Sequence, residues 1–286
     1  EAKMNENGNI KINGLLHDKE YVLTETKPAD GFVSATDISF MLKLKIEKAD
    51  YLTQILIKEN EKFVPAISNK LVMYDDTTKI EFSKTEITGE KEIPGCELEV
   101  TDKETGRIMD KWTSSKDKHI VEGKYVVGKT YMFTEKRPAS GFATAESVEF
   151  KISDTGNIQQ VSMKDDTIKI QFSKIASDTK KLLPGAKYKV LDSKGKKVCE
   201  FTTKKKETAL NGILCAGETY MFVEHQAPKH YKKAKNVKIT VKDTGKIQKI
   251  KVVDERIPEV PDTPQTGYNK SIYLYVLALL FGIGML

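Results

Sequence analysis

Cysteine and tryptophan are scarce: the 286 residues hold three of the first and one of the second. Cys96, Cys199 and Cys215 make no C-x-x-C pair and have no histidine at zinc-ligand spacing, so neither a metal site nor a disulfide framework is expected. The three read as small buried apolar residues, with a Cys199–Cys215 disulfide as the alternative. His225 and His230 read as exposed turn residues and not as ligands. A glycine-rich phosphate loop and a nucleophile–base motif are both missing, which argues against an enzyme acting on an external substrate and calls for no cofactor. The net charge is only +6, spread along the chain, so no nucleic-acid partner is expected. The densest basic run, Lys232, Lys233 and Lys235, reads as a solvated face.

Helical periodicity is also absent from most of the chain, and a long-range repeat stands in its place. MYDDTTKIEFSK, residues 73–84, recurs as MKDDTIKIQFSK, residues 163–174, a period of about 90 residues. Self-similarity on this scale marks an array of like domains. Two full repeats run over residues 77–166 and 167–256. Residues 1–76 match the later part of a repeat but lack its opening strands. Glu25 lies 110 residues before Glu135, where other markers repeat at about 90, so the first repeat carries an insertion over residues 41–70. Residues 257–286 form a proline-bearing spacer followed by an apolar run.

Within each full repeat, short alternating segments such as KIEFSK, PGCELEV, KTYMFTE and SVEFKI are separated by Gly106, Gly123, Gly141 and Gly156. Several period-two segments at this spacing predict tandem antiparallel β-sandwich domains, an all-β chain forming an extended rod. In a strand, residues i, i+2 and i+4 share a face. Ile80 and Phe82 therefore place Lys84 inward, and Ile170 and Phe172 do the same for Lys174. Tyr131 and Phe133 bring Glu135 inward, Tyr220 and Phe222 bring Glu224, and Tyr21 and Leu23 bring Glu25. Val161 and Met163 align Asp165, Ile250 and Val252 align Asp254, and Leu71 and Met73 align Asp75. Trp112 falls at a strand position, like Phe201 one repeat on, and is expected in the core.

Each full repeat thus sends one lysine, one glutamate and one aspartate toward one core. Buried charges pair or neutralise, and desolvation lowers the pKa of a lysine and raises that of an acid. A neutral amine facing a neutral carboxyl is a nucleophile facing an electrophile. Attack of the lysine nitrogen on the aspartate carboxyl carbon, with glutamate moving protons, expels water and leaves an amide. Held geometry supplies about 7–11 kcal/mol toward such a barrier. A plain ion-pair network is the other reading of the same three residues.

IEFSKTEITGEKEIPGCELEVTD, YMFTEKRPASGF and VSMKDD together resemble the Cna B-type, SpaA-like prealbumin-fold domains of Gram-positive surface proteins and pilins. Those domains form spontaneous Lys–Asn or Lys–Asp isopeptide bonds assisted by a glutamate. The resemblance implies a Lys84–Asp165 cross-link assisted by Glu135 and a Lys174–Asp254 cross-link assisted by Glu224. Glu25 and Asp75 become orphan members of a third triad whose lysine strand precedes Glu1. The turn after the glutamate departs from the family pattern in repeat three, where His230 stands at the place of Gly141 and must accept its backbone angle.

TPQTG, formed by Thr263, Pro264, Gln265, Thr266 and Gly267, resembles the LPXTG signal that sortase cleaves between threonine and glycine. The apolar run from Ile272 to Leu286 has 15 residues, short of the roughly 20 needed to cross a bilayer, so the sequence is expected to continue beyond it and an export signal to precede Glu1. An uncleaved single-span anchor is the alternative. The expected partners are sortase, then peptidoglycan, with a host or neighbouring-cell ligand held by a missing N-terminal head. The expected product is a stalk secreted to the cell wall of a Gram-positive bacterium, its only chemistry a single-turnover self-cross-linking. An adhesin that binds matrix or glycan ligands and a pilus subunit are the alternatives.

Overall fold

The computed structural model describes residues 4–48 and 50–258. Repeat one contributes β1 (Glu20–Leu23), β2 (Ile38–Glu47), β3 (Asp50–Glu59) and β4 (Lys62–Pro65), followed by one 3-10 turn, Ile67–Asn69. Repeat two contributes β5 (Lys79–Glu86), β6 (Glu97–Asp102), β7 (Ile108–Thr113), β8 (His119–Glu122), β9 (Thr130–Arg137), β10 (Val148–Lys151) and β11 (Ile158–Asp165). Repeat three follows with β12 (Ile170–Ala176), β13 (Lys187–Leu191), β14 (Lys197–Thr202), β15 (Thr208–Ala209), β16 (Thr219–Gln226), β17 (Val237–Thr240) and β18 (Gln248–Asp254). Among the described residues no helix is long and apolar enough to cross a membrane.

Two sheets make repeat two, in the orders β10-β9-β6-β7 and β11-β5-β8. The period-two pattern decides their faces. Along β5 the buried residues are Ile80, Phe82 and Lys84, with Thr85 buried beside them near the strand's end; along β9 they are Tyr131, Phe133 and Glu135; along β11 they are Val161, Met163 and Asp165. Phe82 is the hub of the core between the sheets, with its ring 5.1 Å from Phe133, 5.3 Å from Trp112 and 5.5 Å from Phe150. Trp112 is half-buried and packs its ring against this core, as its strand position predicts.

One pairing departs from a purely antiparallel sandwich. β11 lies parallel to β5, with Val161 opposite Phe82 and Met163 opposite Lys84. Parallel partners need a long crossover, and the five intervening strands provide it. Repeat three orders its strands in the same way, β15-β12-β18 and β14-β13-β16-β17. There Phe172 packs 4.7 Å from Tyr188 and 5.1 Å from Phe201.

A bulge follows each inward glutamate. The β6–β9 register shifts between Glu97 and Leu98, so that Leu98 faces Glu135 while Glu97 faces Arg137. The β13–β16 register shifts at the matching place, with Tyr188 facing Glu224 and Lys187 facing Gln226. Each shift inserts one unpaired residue, Lys136 in one repeat and His225 in the other, and such insertions re-aim neighbouring side chains. His225 therefore sits exposed on a strand bulge and not in a turn, 3.1 Å from Glu200.

Repeat one is a four-stranded sheet, β1-β2-β3-β4. Its counterpart of the short β10 is the ten-residue β2, which pairs with β3 from Phe40 to Glu47. The segment of residues 71–76, the counterpart of β11, pairs with no strand among the described residues. Asp75 is consequently exposed, against the inward position that Leu71 and Met73 suggested, because no neighbouring strand covers that face.

The chain divides into two compact units. One runs to Gln171 and takes in Ala209–Tyr220 and Ile239–Lys249; the other holds Phe172–Thr208, Met221–Lys238 and the residues from Ile250 onward. Gly141 and Gly212 both belong to the first. Gly141 has φ +86°, and a Cβ on it would stand 2.3 Å from the Gly212 carbonyl oxygen. Gly31 repeats the arrangement against Gly123, at 2.2 Å. His230 occupies the matching turn of repeat three with φ 67°, the backbone angle the sequence demanded of it.

Candidate functional site

The lysine, glutamate and aspartate of each full repeat come together in the core. In repeat two, Lys84 on β5 donates to Asp165 Oδ1 on β11 in a very short contact and lies 3.0 Å from Glu135 Oε1 on β9. The lysine side chain is 2% exposed and both acids are fully covered. In repeat three, Lys174 on β12 makes the same very short contact with Asp254 on β18 and donates to Glu224 Oε2 on β16 at 3.0 Å. Ladder and loop contacts hold the lysine strands in place. The Lys84 and Lys174 carbonyls accept from Ile93 and Leu183, both at 2.7 Å, and the Lys84 amide donates to Glu92 Oε2.

A backbone clamp fixes each glutamate. Oε2 of Glu135 accepts from the Ala145 amide at 2.7 Å, and Oε2 of Glu224 accepts from the Ala234 amide at 2.7 Å. Glu25 is held in the same way by Ala35, at 2.9 Å, and is half-buried. Its expected partner Asp75 is exposed, so repeat one presents a clamped glutamate without an assembled triad. The residues 263–267 lie outside the described residues.

The family model described as SpaA: Prealbumin-like fold domain matches residues 78–167 and 168–256. The chain belongs to this family. Among solved structures, the shaft pilin SpaA from Lactobacillus rhamnosus GG aligns at 15% identity over 64% of this chain and 99% of its own, with a TM-score of 0.32. The Bacillus anthracis TIE protein aligns at 17% identity over 88% of this chain and 48% of its own, TM-score 0.37. A streptococcal ancillary pilin aligns at 15% identity over 78% and 82% of the two chains, TM-score 0.30. No curated protein matches the chain.

Burial governs the electrostatics of both SpaA domains. The Asp165 and Asp254 carboxyls are pushed up to about 6, chiefly by desolvation, with the adjacent lysine pulling down and the adjacent glutamate pushing up. Among the described residues, Glu135 Oε1, Glu224 Oε1 and Asp254 Oδ2 are buried without a hydrogen-bond partner. Glu224 Oε1 and Asp254 Oδ2 each cost about 1–3 kcal/mol for this, while Glu135 Oε1 keeps its ion pair with Lys84 Nζ at 3.0 Å. The second Asp254 oxygen is thus uncompensated inside repeat three, whereas in repeat two both Asp165 oxygens have partners, Lys84 Nζ and the Cys96 thiol.

The walls of the two sites differ, and period-two reasoning had not singled out the residues that make them so. Cys96 lies in the repeat-two site, its Sγ 3.9 Å from Asp165 Oδ2, with burial pushing the thiol up to about 11. Its sulfur and the Glu135 and Asp165 carboxylates lie within 4.8 Å of one another, a donor set suited to a metal, but the Lys84 ammonium stands among them as the cation. The expectation of a small buried residue holds for Cys96, whereas Cys199 and Cys215 are half-buried, and all three are free. Repeat three has Ala186 in place of Cys96 and Tyr188 in place of Leu98. Tyr188 Oη accepts from Lys174 Nζ at 2.7 Å. The alternation of Tyr188 and Val190 along β13 was the sequence signal for an inward tyrosine.

Proposed function

We propose that this chain is part of the structural stalk of a cell-wall-anchored surface protein, each complete SpaA domain closed by an autocatalytic Lys–Asp isopeptide bond. The observation that carries the proposal is the direct contact of Lys84 with Asp165 and of Lys174 with Asp254, each pair buried and each joined by a glutamate.

The reaction is a condensation inside one domain. A proton passes from the lysine ammonium to the aspartate carboxylate, which burial already favours in its protonated form. The freed lone pair attacks the carboxyl carbon. The clamped glutamate takes a second proton from the nitrogen and returns it to a departing oxygen, so that the aspartate loses one oxygen and the lysine two protons as one water, and an amide remains. A cavity of about 140 Å³ beside Lys84, lined by Ser83, Trp112, Ser114 and His119, has room for that water.

Attachment to peptidoglycan by sortase rests on the TPQTG motif and the apolar run after it, and location at the cell surface follows from that attachment. The mass of the denatured, unreduced full chain tests the cross-links. Two waters lost in the wild type, with one regained in Lys84→Ala and one in Glu135→Ala, supports the reading; an unshifted wild-type mass overturns it.

A further inference from the structure

The two triads share lysine, glutamate and aspartate but not the residue that completes the amine's surroundings. Lys174 Nζ meets three oxygens: Asp254 Oδ1, Glu224 Oε2 at 3.0 Å and Tyr188 Oη at 2.7 Å. An ammonium has three N–H bonds, so each is directed. Among the described residues, Lys84 Nζ meets only the two acids. The position facing Glu135 is held by Leu98, which offers no acceptor, whereas the position facing Glu224 is held by Tyr188. The Lys84 nitrogen approaches Glu135 Oε1 to 3.0 Å without hydrogen-bond alignment, and that oxygen has no hydrogen-bond partner. The Lys174 nitrogen is aligned with Glu224. The tyrosine is 1% exposed, and its ring lies 5.2 Å from the same nitrogen.

Resting on the isopeptide reading above, we propose that Tyr188 is a catalytic residue of the Lys174–Asp254 condensation, and that repeat three contains a four-residue site where repeat two contains a triad. The order of proton loss explains its role. When the proton directed at Asp254 crosses to that carboxylate, the lone pair left behind points at the group to be attacked. Tyr188 Oη and Glu224 Oε2 hold the two remaining N–H bonds and stop the amine from turning the lone pair away. As the N–C bond forms, positive charge returns to nitrogen, and the same two oxygens stabilise it without reorganising. Glu224 then takes one proton and passes it to the departing oxygen, while Tyr188 keeps its own proton throughout. Atoms balance as before, with one amide formed and one water released.

The test follows both bonds in the same molecule. The full chain is made by cell-free synthesis and stopped in acidic denaturant at timed intervals. After proteolysis, the Lys84–Asp165 and Lys174–Asp254 cross-linked peptides are quantified by mass spectrometry. Tyr188→Phe keeps the ring and removes the acceptor. It is expected to slow the repeat-three bond between about tenfold and a hundredfold, the loss of one hydrogen bond to a charged group, and to leave the repeat-two bond at its wild-type rate. Hydrogen-exchange protection of β12 is expected to be unchanged, which separates this role from a merely structural one. In the reciprocal variant, Cys96→Ala with Leu98→Tyr, the repeat-two bond is expected to form faster. Equal repeat-three rates in wild type and Tyr188→Phe overturn the proposal and leave the isopeptide reading standing. Absence of both cross-linked peptides from the wild type overturns the reading itself.

Discussion

Lys84 and Asp165, 81 residues apart in the chain, touch at one end of the parallel pair β5 and β11. The opening strand of the repeat and its closing strand therefore run in the same direction and meet where the chain leaves the domain. In the proposed cross-linked state, tension applied to the two ends of the repeat would travel along β5, cross the amide at Lys84 and leave at Asp165. The strands between are bypassed. A hydrogen-bonded ion pair at this position yields under load, whereas a covalent bond does not.

Closing this loop stabilises the domain by restricting its unfolded state. The disulfide loop-entropy relation gives about 4–5 kcal/mol for a loop of this length. Glu135→Ala is expected to lower the unfolding free energy of repeat two by at least that amount, with repeat three unaffected. Denaturant titration followed by the fluorescence of Trp112, the only tryptophan in the chain, reads repeat two alone.

The raised aspartate predicts a pH dependence for the unbonded state. Asp165 is held at about 6 in the folded domain against an ordinary 3.8, so between those values the folded state binds more protons than the unfolded one. Stability is then present at low pH and is lost as pH rises through about 6. Glu135→Gln, which keeps Lys84 and Asp165 but lacks the proton carrier, is expected to lose on the order of 3 kcal/mol at most between pH 4 and pH 7. A urea midpoint that rises over this range contradicts the assignment.

Gly141 and His230 occupy the same turn with different tolerance. Gly141→Ala places a methyl 2.3 Å from the Gly212 carbonyl at a positive φ, and is expected to cost about 1–3 kcal/mol. His230→Gly relieves a left-handed histidine, and is expected to be neutral or stabilising by up to about 1 kcal/mol. Calorimetric melting of both variants checks the pair.

Cys96 is expected to resist alkylation in the native chain at pH 8, because its thiol is fully buried and held near 11. It should react at once in denaturant. Peptide mapping after timed iodoacetamide treatment distinguishes it from the half-buried Cys199 and Cys215.

Strand positions and the inward set were legible in the sequence because a strand has one periodicity, and a single polar residue in phase with two apolar ones must share their face. Lys84, Glu135, Asp165 and their repeat-three equivalents follow from that rule. Asp75 obeys the same arithmetic and is nonetheless exposed, since alternation assigns a face but does not supply the strand that covers it. His225 was misplaced for a related reason. One inserted residue breaks the alternation, and nothing local to the sequence marks a bulge whose partner lies on another strand.

What the amino-acid order determined by itself was the repeat, the strand content and the residue types aimed at each core, all consequences of spacing along one chain. Tertiary structure alone decided that β11 returns parallel to β5, that the three inward groups are in contact, and that Cys96 lines one site while Tyr188 completes the other. Those facts depend on which strands become neighbours, and strand neighbours are chosen by the packing of two whole sheets around Phe82 or Phe172, not by any stretch of sequence alone.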